Sequence, residues 1–133
     1  MWYAPPIQQT VSFSNYWRDP MHLDLYQERS TFLADLNNER TQKNSTYAER
    51  LSSLDQFVLI ASTVDRIIVP RESSWFSAFA PNSTSRLVSL RESALYTEDW
   101  IGLRALDESG RLRFASCECH HRQGPTPACK GQG

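Results

Sequence analysis

Phe57-Val-Leu-Ile-Ala-Ser-Thr-Val-Asp-Arg-Ile-Ile-Val-Pro70 is the stretch on which the reading of this chain turns. From Phe57 to Ser62 the residues are apolar almost without alternation, the pattern of a strand buried on both faces, and a parallel sheet is the expectation. Asp65 follows in a loop, and Pro70 stops regular structure. A later segment, Leu112-Arg-Phe-Ala-Ser-Cys-Glu-Cys119, reads as a second strand and leads to His121. Two strands therefore deliver an acid and then a histidine, which is the order of the last two members of a Ser-Asp/Glu-His triad.

The first member has no counterpart. A nucleophile of that type sits in a G-x-S-x-G elbow between strand and helix. The five glycines, Gly102, Gly110, Gly124, Gly131 and Gly133, never bracket a serine at that spacing. The 133 residues suffice for one ordinary domain or part of a larger unit. A net charge of -1 provides no field to attract nucleic acid or anionic lipid. The apolar run is far shorter than the roughly 18 residues a membrane helix requires, so no transmembrane segment is expected. The first residues lack a basic stretch followed by an apolar one, so no secretion signal is recognisable, and a cytosolic location follows if the start is taken literally. Asn44-Ser45-Thr46 and Asn82-Ser83-Thr84 are nonetheless acceptor sequons for N-glycosylation. The three cysteines, Cys117, Cys119 and Cys129, are odd in number and argue against a disulfide framework.

Along the chain, Pro5-Pro6 predicts an extended segment over residues 1–14. Leu23, Tyr26, Phe32, Leu33 and Leu36 recur near helical spacing and predict two short helices, with Ser30-Thr31 as the N-cap region of the second. Residues 37–46 are polar and read as a surface loop, and Tyr47 to Gln56 as a further short helix. Ser74 to Phe79 brings aromatic bulk behind Pro70, residues 80–86 form a turn, and Arg86 to Arg91 is a short strand or extended segment. Leu95, Ile101, Leu103 and Leu106 predict one amphipathic helix over 94–108, closed by Gly110. Beyond His121 the Gly, Pro, Gln and Lys composition predicts a disordered tail over 122–133.

Four blocks in order now carry a resemblance: Asn15 to Tyr26, Ser30 to Arg40, Ile67-Ile-Val-Pro-Arg-Glu-Ser-Ser-Trp-Phe76, and Leu95-Tyr-Thr-Glu-Asp-Trp-Ile-Gly-Leu103. Together they resemble the palmitoyl-protein thioesterases, enzymes with an α/β-hydrolase sheet and a helical cap. The resemblance implies an α/β fold, the C-terminal part of an α/β-hydrolase with parallel strands, helices and part of the cap. Residues 15–56 then belong to the cap and 57–121 to the sheet. It implies that Asp65 is the triad acid, His121 the triad base and Asn44 a glycosylated position. It also implies S-acylated proteins or fatty acyl thioesters as substrates, no cofactor, and a lysosomal location. The family's N-terminal half, with its signal, oxyanion hole and nucleophilic serine, has no counterpart in these residues, so the isolated chain is expected to be inactive. Just before the base, the family's Gly-Asp-His becomes Cys119-His120-His121.

Ile67, Ile68, Trp75 and Phe76 are candidates to line an acyl groove beside the acid, with ordinary core packing as the competing reading. Cys117, Cys119 and His121 fall on one face of a strand and, with Cys129, offer a competing zinc site. Their spacing is not the C-x₂-C of structural zinc sites, so no metal is expected. The alternative to a hydrolase part is a non-catalytic polypeptide acting through an exposed strand edge or the tail cysteines.

Overall fold

Strand β1 (Phe57–Ser62) pairs in parallel with strand β4 (Leu112–Cys117) over its whole length, from Phe57 opposite Leu112 to Ser62 opposite Cys117. This computed structural model describes residues 3–122 and 131–132. Between the two strands the chain forms a two-stranded antiparallel sheet, β2 (Ala78–Phe79) with β3 (Leu87–Val88). Helices α5 (Ala94–Thr97) and α6 (Leu103–Glu108) then lead back to β4. Parallel neighbours require such a crossover, because a strand cannot return beside its predecessor in the same direction through a tight turn. A short strand β5 (Gly131–Gln132) adds antiparallel to the far edge of β4, giving the order β1-β4-β5. Of the tail expected to be disordered over 122–133, Arg122 lies in a turn and Gly131–Gln132 in β5, and the remainder lies outside the described residues.

The chain is mixed α/β with a parallel pair, as expected, but β1 is not buried on both faces. Leu59 and Ala61 are buried, whereas Val58 and Ile60 are 43% and 58% exposed. The continuous apolar run conceals an alternation in burial, since apolar residues occupy the outward positions as well as the inward ones. Phe114 of β4, opposite Leu59 in the register, lies on the inner face against Trp75 and is 38% exposed at the margin of the core. On the inner face Leu59 and Leu112 meet Leu90, Ile101, Leu103 and Leu106 in the main core, flanked by Trp75, Leu95 and Trp100.

Residues ahead of β1 form helices α1 (Pro5–Thr10), α2 (Leu23–Arg29), α3 (Leu33–Leu36) and α4 (Ser45–Ser52). The extended reading of residues 1–14 is corrected here: Pro5 and Pro6 open α1, where a proline's fixed φ suits a helix and its missing N–H costs nothing, and a 3₁₀ turn covers Ser12–Tyr16. The cap of α3 falls at Phe32, beyond Ser30-Thr31. Helix α4 starts before Tyr47 because the Asn44 side chain accepts the Thr46 N–H at 3.1 Å. Tyr3, Tyr26 and Ala34 form a second buried cluster. There Tyr26 Oη donates to Glu39 at 2.9 Å, and Arg18 reaches the same carboxylate at 3.3 Å.

One side chain fastens this helical part to the α5–α6 region. Asn38 is 4% exposed; its Nδ2 donates to the carbonyls of Asn44 at 3.0 Å and Trp100 at 2.8 Å, and its Oδ1 accepts the Asn44 N–H at 2.8 Å. Trp100 itself lies in the break that splits the single helix expected over 94–108. Asp99 has φ +52, and its carboxylate caps α6 by accepting the N–H groups of Arg104 at 2.8 Å and Ala105 at 3.3 Å. Gly102, at φ +87, completes the reversal and lies so close to α4 that a Cβ would stand 2.6 Å from the Ala48 carbonyl oxygen.

Candidate active site

Asp65 and His121 lie just past the C-terminal ends of adjacent parallel strands, the position at which open α/β sheets build their sites. Backbone pairing carries the two chains to that point and slightly beyond, since Thr63 N donates to the Cys117 carbonyl at 2.9 Å. The acid loop then folds on its own polar groups. Asp65 Oδ1 accepts the Ile67 N–H at 2.7 Å and the Ile68 N–H at 3.3 Å, an Asx-type turn that leaves Oδ2 for another partner. Arg71 secures the far side of the loop by donating to the Thr63 carbonyl.

That other partner is His121, whose Nδ1 is 2.8 Å from Asp65 Oδ2. Residues fifty-six apart in sequence are brought into hydrogen-bond contact. The Asp65 side chain is 10% exposed and that of His121 41%. An ionised carboxylate only accepts, so in the neutral imidazole Nδ1 carries the proton and Nε2 keeps its lone pair. The bond from His121, followed by that from the Ile67 N–H, holds the Asp65 carboxyl below its ordinary range against the opposing effect of burial. The arrangement is that of an acid fixing the tautomer of a base. Among the described residues no serine hydroxyl is bonded to His121.

A cleft of about 320 Å³ opens beside Asp65, with Ile68, Pro70, Arg71, Phe79 and Leu87 also in its wall. Of the groove candidates, Ile68 lines this cleft while Ile67 is 71% exposed. Trp75 and Phe76 pack against the main core instead. Trp75 Nε1 donates to the carbonyls of Leu59 and Ala115, both at 3.1 Å, so the indole bridges β1 and β4 beneath the site. The sequon residues Asn44 and Asn82 are both exposed.

The cysteine and histidine cluster does not assemble. Cys117 is a buried free thiol and Cys119 is disulfide-bonded, which corrects the expectation that the odd cysteine count argues against a disulfide. Among the described residues no group of three His, Cys, Asp or Glu side chains is placed to hold a metal. Sequence reasoning passed over Ser62 and Arg71, which shape the acid loop. A hydroxyl ending an apolar strand and an arginine after a proline leave no periodic signal.

The family model described as palmitoyl protein thioesterase matches residues 1–121. Palmitoyl-protein thioesterase 3 of Dictyostelium discoideum is 50% identical over 123 residues, which are 92% of this chain and 43% of the relative. Palmitoyl-protein thioesterase 1 of Caenorhabditis elegans is 41% identical over 123 residues, 92% of this chain and 41% of the relative. The human lysosomal thioesterase PPT2 is 36% identical over 108 residues, 80% of this chain and 35% of the relative. The chain therefore spans less than half the length of these relatives.

Proposed function

This chain belongs to the palmitoyl protein thioesterase family, and from that premise we propose that it supplies the acid and base of a hydrolase acting on thioester-linked fatty acyl groups of S-acylated proteins. The observation that carries the reading is the 2.8 Å bond between Asp65 Oδ2 and His121 Nδ1 at the C-terminal ends of parallel strands. In the proposed reaction Nε2 of His121 takes the proton of a serine hydroxyl as it attacks the thioester carbonyl, then returns a proton to the departing thiolate. Asp65 keeps Nδ1 protonated and stabilises the imidazolium. A thiolate is a good leaving group, so placement of the carbonyl and stabilisation of the oxyanion dominate the remaining barrier.

The 133 residues contain no G-x-S-x-G, and the matched relatives are more than twice as long as the matched stretch. The nucleophile in this proposal comes from the part of the family fold that these residues do not represent. Ile68, in the cleft wall, is the residue of Ile67, Ile68 and Trp75 best placed against an acyl chain. Asn44 and Asn82, both exposed, are proposed as glycan carriers, consistent with lysosomal residence of the kind named for the PPT2 relatives. Among the described residues no helix is long and apolar enough to cross a membrane.

Palmitoyl-thioester hydrolysis is measured for the purified chain alone and after co-refolding with the serine-bearing portion of the Dictyostelium relative. The expected outcome is no turnover alone and turnover in the mixture. Asp65→Asn and His121→Ala each lower the latter by at least about a thousandfold, because members of a triad act as a unit. Turnover by the chain alone that both variants abolish would place the nucleophile within these 133 residues and overturn the assignment.

A further inference from the structure

Ser62 ends β1, and its hydroxyl uses every hydrogen-bonding position it has. It donates to the Cys119 carbonyl at 2.6 Å and accepts the N–H groups of Val64 at 3.2 Å and Asp65 at 3.0 Å. A strand-end serine bonding amides two and three residues ahead is an ordinary local turn. The third bond is not local, since it reaches a carbonyl 57 residues away. Cys119 stands two residues before the base, and Asp65 is the acid. The β1–β4 register ends at Ser62 opposite Cys117, with one further backbone bond from the Thr63 N–H to the Cys117 carbonyl, and the hydroxyl ties the two chains beyond it.

We propose that Ser62 is a positioning residue for the Asp65–His121 pair, holding the acid loop and the base-bearing segment about a single oxygen and so setting the distance between carboxylate and imidazole. The proposal rests on the reading of Asp65 and His121 as triad acid and base. A relay of this kind tolerates displacements of only about 0.5 Å, and the His121 side chain is 41% exposed. The backbone on either side, together with the disulfide at Cys119, supplies the constraint, and Ser62 grips both sides. Removing the hydroxyl frees the Cys119 carbonyl and the Asp65 amide together, while the apolar packing of β1 loses one oxygen atom.

The test is NMR of the 133-residue chain, following the far-downfield proton of His121 Nδ1 and its exchange with water, with circular dichroism as the control for folding. Asp65→Asn examines the underlying pair: a proton unchanged in that variant would sink the acid–base reading, whatever Ser62 does. For Ser62→Ala the expected result is native circular dichroism with this proton lost or exchanging about tenfold faster. Ser62→Thr, which keeps the hydroxyl and suits a strand, is expected to restore it. A proton exchanging at the unmodified rate in a folded Ser62→Ala chain would overturn the proposal. If Ser62→Ala does not fold, Ser62→Cys decides, having similar size and only a weak donor. Folded with the proton lost, it supports positioning; folded with the proton kept, or unfolded, it reduces Ser62 to a local structural role.

Discussion

Asp65 divides its labour between two oxygens, one closing its own loop and one meeting His121. Because His121 is the largest cause of its lowered pKa, His121→Ala is expected to move the Asp65 titration upward toward the ordinary 3.8, with the Ile67 and Ile68 N–H groups retaining part of the lowering. Carbon NMR of the Asp65 carboxyl checks this. The sign for stability follows from the same direction. A carboxyl with a folded pKa below its unfolded value contributes stability that is present above the unfolded value and is lost as pH falls through the folded one. In urea titrations the unmodified chain should lose that contribution between 3.8 and the lower folded value, and the alanine variant should lose less over that interval. Asp65 and His121 stood out in the sequence because each follows an apolar strand in the order of a triad, and the structure brings the two side chains into contact. Ser62 was not, since a serine at the end of FVLIAS looks like the end of the strand and nothing more. The cysteine count was equally silent, for an odd number forbids complete pairing without saying which thiol stays free.

Among the elements, β1 and β4 were found within two residues of their ends because length, β-branching and flanking breakers agree there. The helix expected over 94–108 was misread for a specific reason. Leu95, Ile101, Leu103 and Leu106 all face one core, so their spacing mimics a single amphipathic face although the chain reverses between α5 and α6. The sign of the break was Asp99 with Gly102, an acid able to cap a second helix and a residue that tolerates positive φ. Gly102→Ala combines a strained backbone with a Cβ 2.6 Å from the Ala48 carbonyl, so a loss of about 2–4 kcal/mol is expected from the urea midpoint at constant m-value. Gly110→Ala is the contrasting case. Its φ of +70 carries the same type of strain, but nothing lies within 4 Å of its Cβ position, and a loss nearer about 1 kcal/mol is expected.

For the whole molecule, the outward face of the sheet is the exposed counterpart of its core. Val58 and Ile60 form apolar surface on β1, a strand with no neighbour on its far edge among the described residues. Unpaired edges flanked by apolar side chains template association. The chain is therefore expected to self-associate, and Ile60→Glu is expected to shift it toward monomer in light scattering while leaving the melting temperature within a few degrees. Leu59→Glu, which puts the same charge on the inner face, should unfold it. This asymmetry was illegible in the sequence, where both faces of β1 carry the same residue types.

The Asn38 amide, bound at once to Asn44 and to the Trp100 carbonyl 62 residues away, has a consequence for how the molecule loosens. Lifting the 37–44 loop would take the Asn38 donor from the Trp100 carbonyl in the turn between α5 and α6, and unwinding that turn would orphan the amide that holds the loop. Neither segment can fray alone at low cost. They share one opening event, and each slows the other's excursions as a latch slows both leaves of a door.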